Sequence, residues 1–287
     1  MSSRRFQEAN LYRLLRSLSG YCSSMNFSEA AESALAAGNL PWAASASYYA
    51  GFHLAGAVLY LDMKLPYNHK EIVSPKGTNI SGLRRFLQIG HEQLIRSVDS
   101  IKEEQPFLVS LVRHLQVSRE LRELAQYGPY LQLTRPTEVS LGRKVTIHPR
   151  PLYLKEHASI DASNPSSFTT IPKMIETRVI LARELVDGFP DFFRQSIGGY
   201  DVVELRIVFA ILPAVLAIFV YPPAAEDIDK RSLSRLRKLV ELVDPVSTQY
   251  FDRGKTNFYN PLSTKIRDGH IPGELSLEVD FGGLLQQ

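Results

Sequence analysis

Apolar positions recur at helical rather than alternating spacing along most of this chain. Leu11, Leu14, Leu15 and Leu18 share one face of residues 4–22, with Arg13 and Arg16 on the other, which predicts an amphipathic helix with a basic outer face. A second helix is expected over 26–37, opened by Asn26 as N-cap with Glu29 three residues later in a capping-box arrangement. Gly38 ends it, and Pro41 stands in the first turn of the next helix, 41–63. Residues 66–80 read as a polar loop. A helix over 81–101 carries Leu83, Phe86, Leu87, Leu94 and Ile95 and is interrupted by Gly90. Pro106 opens another, which runs to Gln126 and is stopped by Gly128-Pro129.

The pattern then changes. Residues 130–172 are proline-rich, and β-branched alternation at Lys144-Val-Thr-Ile-His148 predicts a small hairpin over 138–148, followed by a Ser-, Asn- and Pro-rich loop. Helical periodicity resumes at Pro172, runs to about Asp187 and extends through Phe189 to Gln195. Further helices are expected over 201–221 and 226–244, and Leu275 to Phe281 alternates as a tail strand. The fold class expected is mainly α.

Two helices stand out. Residues Trp42 to Leu61 carry Ala, Ser and Gly at nearly every spacing, which lets a second helix backbone approach closely and places this helix at the centre of a tight bundle. Val202 to Tyr221 is apolar enough to raise the question of a membrane span. Glu204 and Arg206 lie inside it, however, and the uninterrupted run Ile207 to Tyr221 reaches only about 22 Å, short of a hydrocarbon core of about 30 Å. A buried bundle helix is the expectation, with no membrane partner.

With 287 residues, 44% hydrophobic and 22% charged, the chain has enough apolar content for a full core. A net charge of +3 permits a nucleic-acid partner without implying one. The single cysteine, Cys22, excludes an intrachain disulfide and a cysteine-rich zinc site, and it suits a reducing cytoplasm. The N-terminal residues lack the apolar run of a signal peptide. No metal site and no cofactor are expected. Gly254-Lys-Thr256 lacks the earlier glycine of a phosphate loop, His91-Glu-Gln-Leu-Ile95 lacks the second His of a zinc protease, and no Gly-x-Ser-x-Gly elbow occurs.

Ala30-Ala31-Glu32-Ser33-Ala34-Leu35, then Gly38-Asn39, then Ser47-Tyr48-Tyr49-Ala50-Gly51-Phe52-His53, and later Arg119-Glu-Leu-Arg-Glu-Leu-Ala-Gln-Tyr127, form a sequence of motifs. Residues 27–63 and 106–127, which hold them, resemble the HEPN superfamily of small helical nucleotide-binding bundles. The resemblance implies a HEPN-like bundle over 1–196, with an insertion at about 130–171 holding the β-hairpin, and a helical C-terminal extension over 197–287. It implies further a prokaryotic defence or toxin–antitoxin setting.

Many HEPN proteins are metal-independent ribonucleases in which a His four to six residues after an Arg takes a ribose hydroxyl proton while the Arg steadies the phosphate. Here Arg119 is in place, but Leu124, Ala125 and Gln126 stand where the His belongs. The resemblance therefore implies a non-catalytic or degenerate module that binds RNA, a nucleotide or a protein partner. One alternative is a ribonuclease with an unorthodox pair, for which His114 and Arg119 are the weak candidates. They share a helix but stand about 140° apart around it. Arg85 with His91, and Arg143 with His148, are further pairings of the sort chance supplies. Another alternative is an interaction subunit that assembles with a protein partner or as a homo-dimer.

His114, Ser118 and Arg122 fall on one face of helix 106–126, with Arg113, Arg119 and Gln126 nearby. This stripe reads either as a phosphate-binding surface or as a solvated face with an Arg119–Glu123 pair. Arg113, Arg119, Arg122 and Gln126, together with His53, are the candidate nucleic-acid or phosphate contacts. Tyr48 and Phe52 read as packing residues.

Overall fold

A computed structural model describes residues 2–62, 91–102, 105–131, 153–154, 160–161, 165–219 and 230–249. They are mainly helical: α1 (Ser2–Ala36), α2 (Leu40–Leu61), α3 (His91–Ile101), α4 (Pro106–Leu131), α5 (Pro165–Ser196), α6 (Val202–Phe219) and α7 (Lys230–Val243), with a single 3-10 turn at Ile197–Gly199. Tyr153–Leu154 (β1) and Ile160–Asp161 (β2) pair antiparallel, with Tyr153 opposite Asp161 and Leu154 opposite Ile160. The hairpin expected at 138–148, the loop at 66–80, the first half of helix 81–101 and the tail strand at 275–281 lie outside the described residues. Among the described residues no helix is long and apolar enough to cross a membrane.

Contacts divide the chain into two units. One holds Met1–Cys22, Gly56–Gly90 and Phe189–Gln287; the other holds Ser23–Ala55 and His91–Gly188. The second contains the motifs of interest. Its α1 segment runs on without the break expected at Asn26. Ser24, Met25, Ser28 and Ala31 are buried at helical spacing, no Gly or Pro intervenes before Gly38, and Ser24 Oγ donates to the Ala50 carbonyl at 2.7 Å. Continuous burial outweighs a capping signal worth about 1 kcal/mol.

The expected end of α1 is found. Gly38 takes φ 71°, Asn39 N–H bonds the Ala34 carbonyl at 2.8 Å and Gly38 N–H bonds the Leu35 carbonyl at 3.0 Å, which is a Schellman closure. Asn39 then caps α2, its Oδ1 accepting from Trp42 N–H at 3.2 Å.

Ala43, Ala44, Ala46, Ser47, Ala50 and Gly51 of α2 are all buried. Ala31, Ala34, Ala43, Ala44 and Ala46 pack with Val117, Leu121, Ile175 and Val179, so α1, α2, α4 and α5 share one core. The approach of α4 is closest at Gly51, where a Cβ would stand 2.5 Å from His114 Cδ2. Helix α3 packs on α4 and buries Leu94, Ile95 and Val98. Helix α4 passes the Gly128-Pro129 stop and ends at Leu131. Pro129 falls in its last turn, where the proline forfeits one backbone bond rather than breaking the helix centre. Helix α5 begins at Pro165, ahead of the expected Pro172.

The first unit is built around aromatic and aliphatic packing with polar joints. Tyr21 stacks on Phe189 with centroids 4.6 Å apart. Asp201 caps α6 by accepting from Val203 N–H at 2.8 Å. Glu204 accepts from Asp201 N–H at 3.1 Å in return, closing a capping box absent from the sequence reading. The buried Glu204 carboxylate also accepts from Asn10 Nδ2 at 3.0 Å on both oxygens. Arg206 pairs with Asp244 at 2.9 Å, and α7 buries Leu236, Leu239 and Val240.

Gly51→Ala forces a side-chain carbon into His114, and Ala50→Leu adds three carbons at a position with no exposure. Each is expected to lower unfolding free energy by about 1–3 kcal/mol in urea titrations. An unchanged midpoint in both would show that α2 and α4 do not meet along this seam.

Candidate functional site

The face of α4 that carries His114, Ser118 and Arg122 is turned inward and lies against α2. His114 and Ser118 have no exposure and Arg122 only 7%, so the solvated-stripe reading does not hold for these three. His114 Nε2 lies 2.9 Å from the Ser47 carbonyl. A carbonyl only accepts, so Nε2 carries the proton and Nδ1 is left a bare acceptor without a partner. Complete burial pushes the imidazole pKa down to about 4, the Ser47 bond opposing and Arg178 reinforcing the shift. As a weak catalytic candidate His114 is thus a neutral core residue, with no exposed nitrogen to offer a ligand.

Two turns along α4, Arg122 lies over the rings of Tyr48 and Tyr49, 5.2 and 5.5 Å from their centroids. Its Nε donates to Gln126 Oε1 at 3.1 Å. Gln126 Nε2 donates to Ser45 Oγ at 3.1 Å, and Ser45 donates to the Pro41 carbonyl at 2.9 Å. This chain of bonds fixes the guanidinium against the aromatic pair. Arg119 forms the expected ion pair with Glu123 at 3.5 Å and, with 31% of its side chain exposed, offers more surface than Arg122.

The structure adds His91 to this group. The first residue of α3 contacts Tyr48 Oη through Nδ1 at 2.6 Å, and its Nε2 faces Arg122 Nη1 at 3.5 Å, the outer limit of a hydrogen bond. Arginine can only donate, so Nε2 is assigned as the bare acceptor and Nδ1–H as the donor to Tyr48. Desolvation, then the positive charges of Arg122 and Arg119, hold the His91 pKa below its usual value, with Glu123 opposing. Burial likewise raises the Tyr48 hydroxyl pKa, with Arg122 and Arg119 opposing. The result is a neutral imidazole whose basic nitrogen is aimed at a fixed guanidinium.

An aromatic surface adjoins the group. Phe52 lies 5.0 Å from the His91 ring and Tyr49 6.5 Å. His53 stacks on Phe27 at 5.1 Å with planes 11° apart, and its pKa is lowered by burial. Tyr49, Phe52, His53 and Phe27 are half-buried, with Tyr48 fully buried beneath. Of the sequence candidates, Arg119, Arg122 and Gln126 thus meet at one place and His53 joins the neighbouring aromatic group. Arg113 is exposed, and its charge opposes that of Arg178 on α5.

Pairing His91 with Arg85 along the chain missed its role. A usable signal was present: His91, Leu94, Ile95 and Val98 are at i, i+3, i+4 and i+7, so His91 continues the buried face of α3. Among the described residues no cluster of His, Cys, Asp and Glu suits a metal ion. Comparison with protein-family models, curated proteins and solved structures finds no match to this chain.

The depressed His114 pKa sets an expected pH dependence. Its folded value lies below its unfolded value of 6.5, so the unfolded chain binds the extra proton first. Stability is therefore fully present above about pH 6.5 and lost as pH falls towards 4, by about 3 kcal/mol. Urea midpoints at steps between pH 7.5 and 5 should fall in the wild type and fall less in His114→Gln. An identical pH slope in both proteins would remove His114 from this account.

Proposed function

We propose that this chain is a HEPN-like module that binds RNA or a nucleotide on the face formed by His91, Tyr49, Phe52, Arg119 and Arg122. The supporting sequence resemblance covers 27–63 and 106–127, and the domain reading of a bundle over 1–196 with an extension over 197–287 belongs to it. So does a role in a prokaryotic defence or toxin-type system. The observation that carries the reading is the fixed Arg122 guanidinium beside a neutral His91, next to half-buried aromatic rings.

Aromatic faces stack unpaired bases, and a partly exposed Arg meets the phosphate between them. Arg119 is the phosphate contact in this reading, and Arg122 holds the floor of the site. A second reading, a metal-independent ribonuclease, is favoured by one specific feature. His91 Nε2 is unprotonated, so once released from its 3.5 Å contact with Arg122 it can take a proton from a ribose hydroxyl while the more exposed Arg119 guanidinium stabilises phosphate charge. His91 would replace the His absent at 124–126.

Fluorescence anisotropy on labelled single-stranded RNA tests the binding, and gel analysis of the same samples tests cleavage. Arg119→Gln is expected to weaken binding and flatten the dependence of log affinity on log salt by about 0.7, the loss of one phosphate contact. Cleavage in the wild type that disappears in His91→Gln, with binding retained, selects the ribonuclease. RNA affinity that is undetectable, or unchanged in Arg119→Gln and His91→Gln alike, overturns the RNA-binding reading in favour of a protein-assembly role.

A further inference from the structure

We infer that Gln126 is a positioning residue for the His91 face, an inference that rests on the reading of that face as functional. Acting through Arg122, Gln126 selects the His91 tautomer that has a bare Nε2. Gln126 is exposed, yet both ends of its amide are committed. Its Oε1 accepts from Arg122 Nε and its Nε2 donates to Ser45 Oγ, each at 3.1 Å.

Only one of the two amide orientations fits. A backbone carbonyl only accepts, so the Ser45 hydroxyl directs its hydrogen to the Pro41 carbonyl at 2.9 Å and meets Gln126 as an acceptor. Arg122 Nε–H only donates. Turned over, the amide would set donor against donor at Arg122 and oxygen against oxygen at Ser45. The two ends therefore demand the same setting.

That setting passes to Arg122. Its Nε is held by Gln126, its flat face lies 5.2 and 5.5 Å from the Tyr48 and Tyr49 centroids, and only 7% of the residue is exposed. One constraint acts in the plane of the guanidinium and the other across it, which leaves Nη1 aimed at His91 Nε2 at 3.5 Å. A proton on Nε2 would face another donor there. The proton therefore sits on Nδ1, 2.6 Å from Tyr48 Oη. Tyr49 of α2 and Arg119 and Glu123 of α4 complete the titratable surroundings of the ring.

The test is ring-nitrogen NMR on the isotope-labelled full chain, with the His91 signals identified by their loss in His91→Gln. Above the pH of imidazole titration the wild type is expected to show a protonated Nδ1 and a bare Nε2. Gln126→Met removes the acceptor for Arg122, and His91 is expected to shift towards the Nε2–H form. Gln126→Glu restores an acceptor and should keep the wild-type tautomer, while its carboxylate offsets the Arg122 charge and moves the His91 titration to higher pH. Gln126 is exposed, so neither change should disturb the fold. Ser45→Ala removes the hydroxyl that orients the amide and gives an independent route to the same tautomer shift. A bare Nδ1 in the wild type overturns the proposal, as does a His91 pattern unmoved in both Gln126→Met and Ser45→Ala. The signals are read without RNA, so the two readings fail separately. A tautomer that follows residue 126 in a protein that binds no RNA leaves the positioning role standing and removes the RNA reading. Arg119-dependent RNA binding with an unmoved His91 pattern does the reverse.

Discussion

The arrangement of the candidate site depends on one steric fact, the absence of a side chain at Gly51. Because no Cβ stands there, the edge of His114 enters the space against α2, and its Nε2–H reaches the Ser47 carbonyl at 2.9 Å. That contact sets how α4 lies on α2. Four and eight residues further along the same face come Ser118 and Arg122, at about 6 Å of rise per step. Arg122 therefore falls beside Tyr48 and Tyr49, and Gln126 beside Ser45. A bulkier residue at 51 would move every polar group that follows.

That constraint also separates two kinds of arginine on one helix. Arg122 is buried, and its donors have acceptors in Gln126 and His91 while its flat face is covered by two rings. A guanidinium held in this way shapes the field and the floor of a site, and little of it can reach a ligand. Arg119, one turn earlier, is more exposed and bound by a 3.5 Å ion pair with a half-exposed Glu123. Surface pairs of that kind contribute roughly 0–1 kcal/mol, so exchanging Glu123 for a phosphate costs little. The same helix thus supplies a fixed cation and an exchangeable one.

Local chemistry that acts over a few residues was legible in the sequence. Gly38 ends one helix and Pro41 stands in the first turn of the next as read, the small residues of α2 mark the packing seam, and Pro106 opens α4. Two readings failed because burial overrode a local signal. Asn26 lies inside α1, where the flanking residues are buried at helical spacing. The polar stripe of α4 is buried, since Ser47, Tyr48, Ser45 and the Ala50–Gly51 gap give its polar atoms partners and space. His91 was missed for a different reason. Its partners lie 43 and 31 residues away on other helices, and a search for Arg and His close together in sequence cannot find them. The phase of its own helix did contain the information.

The first unit shows the same principle in the opposite direction, with polar residues interrupting an apolar helix for structural reasons. Glu204 looked, in sequence, like a charge misplaced in an apolar run. It closes the capping box at Asp201, which satisfies a backbone donor at the start of α6, and its two oxygens share the Asn10 Nδ2 donor. Arg206, half a turn on, points to Asp244 beyond the end of α7. Asp244 is in turn held below the ordinary carboxylate range, its burial opposed by bonds from Arg206, Ser247 and Val246. Apolar burial is nearly indifferent to small rotations of a helix, whereas a carboxylate bonded to Asn10 and a guanidinium bonded to Asp244 are satisfied in only one setting. The two charges that break the apolar run are therefore the residues that fix how α6 meets α1 and α7.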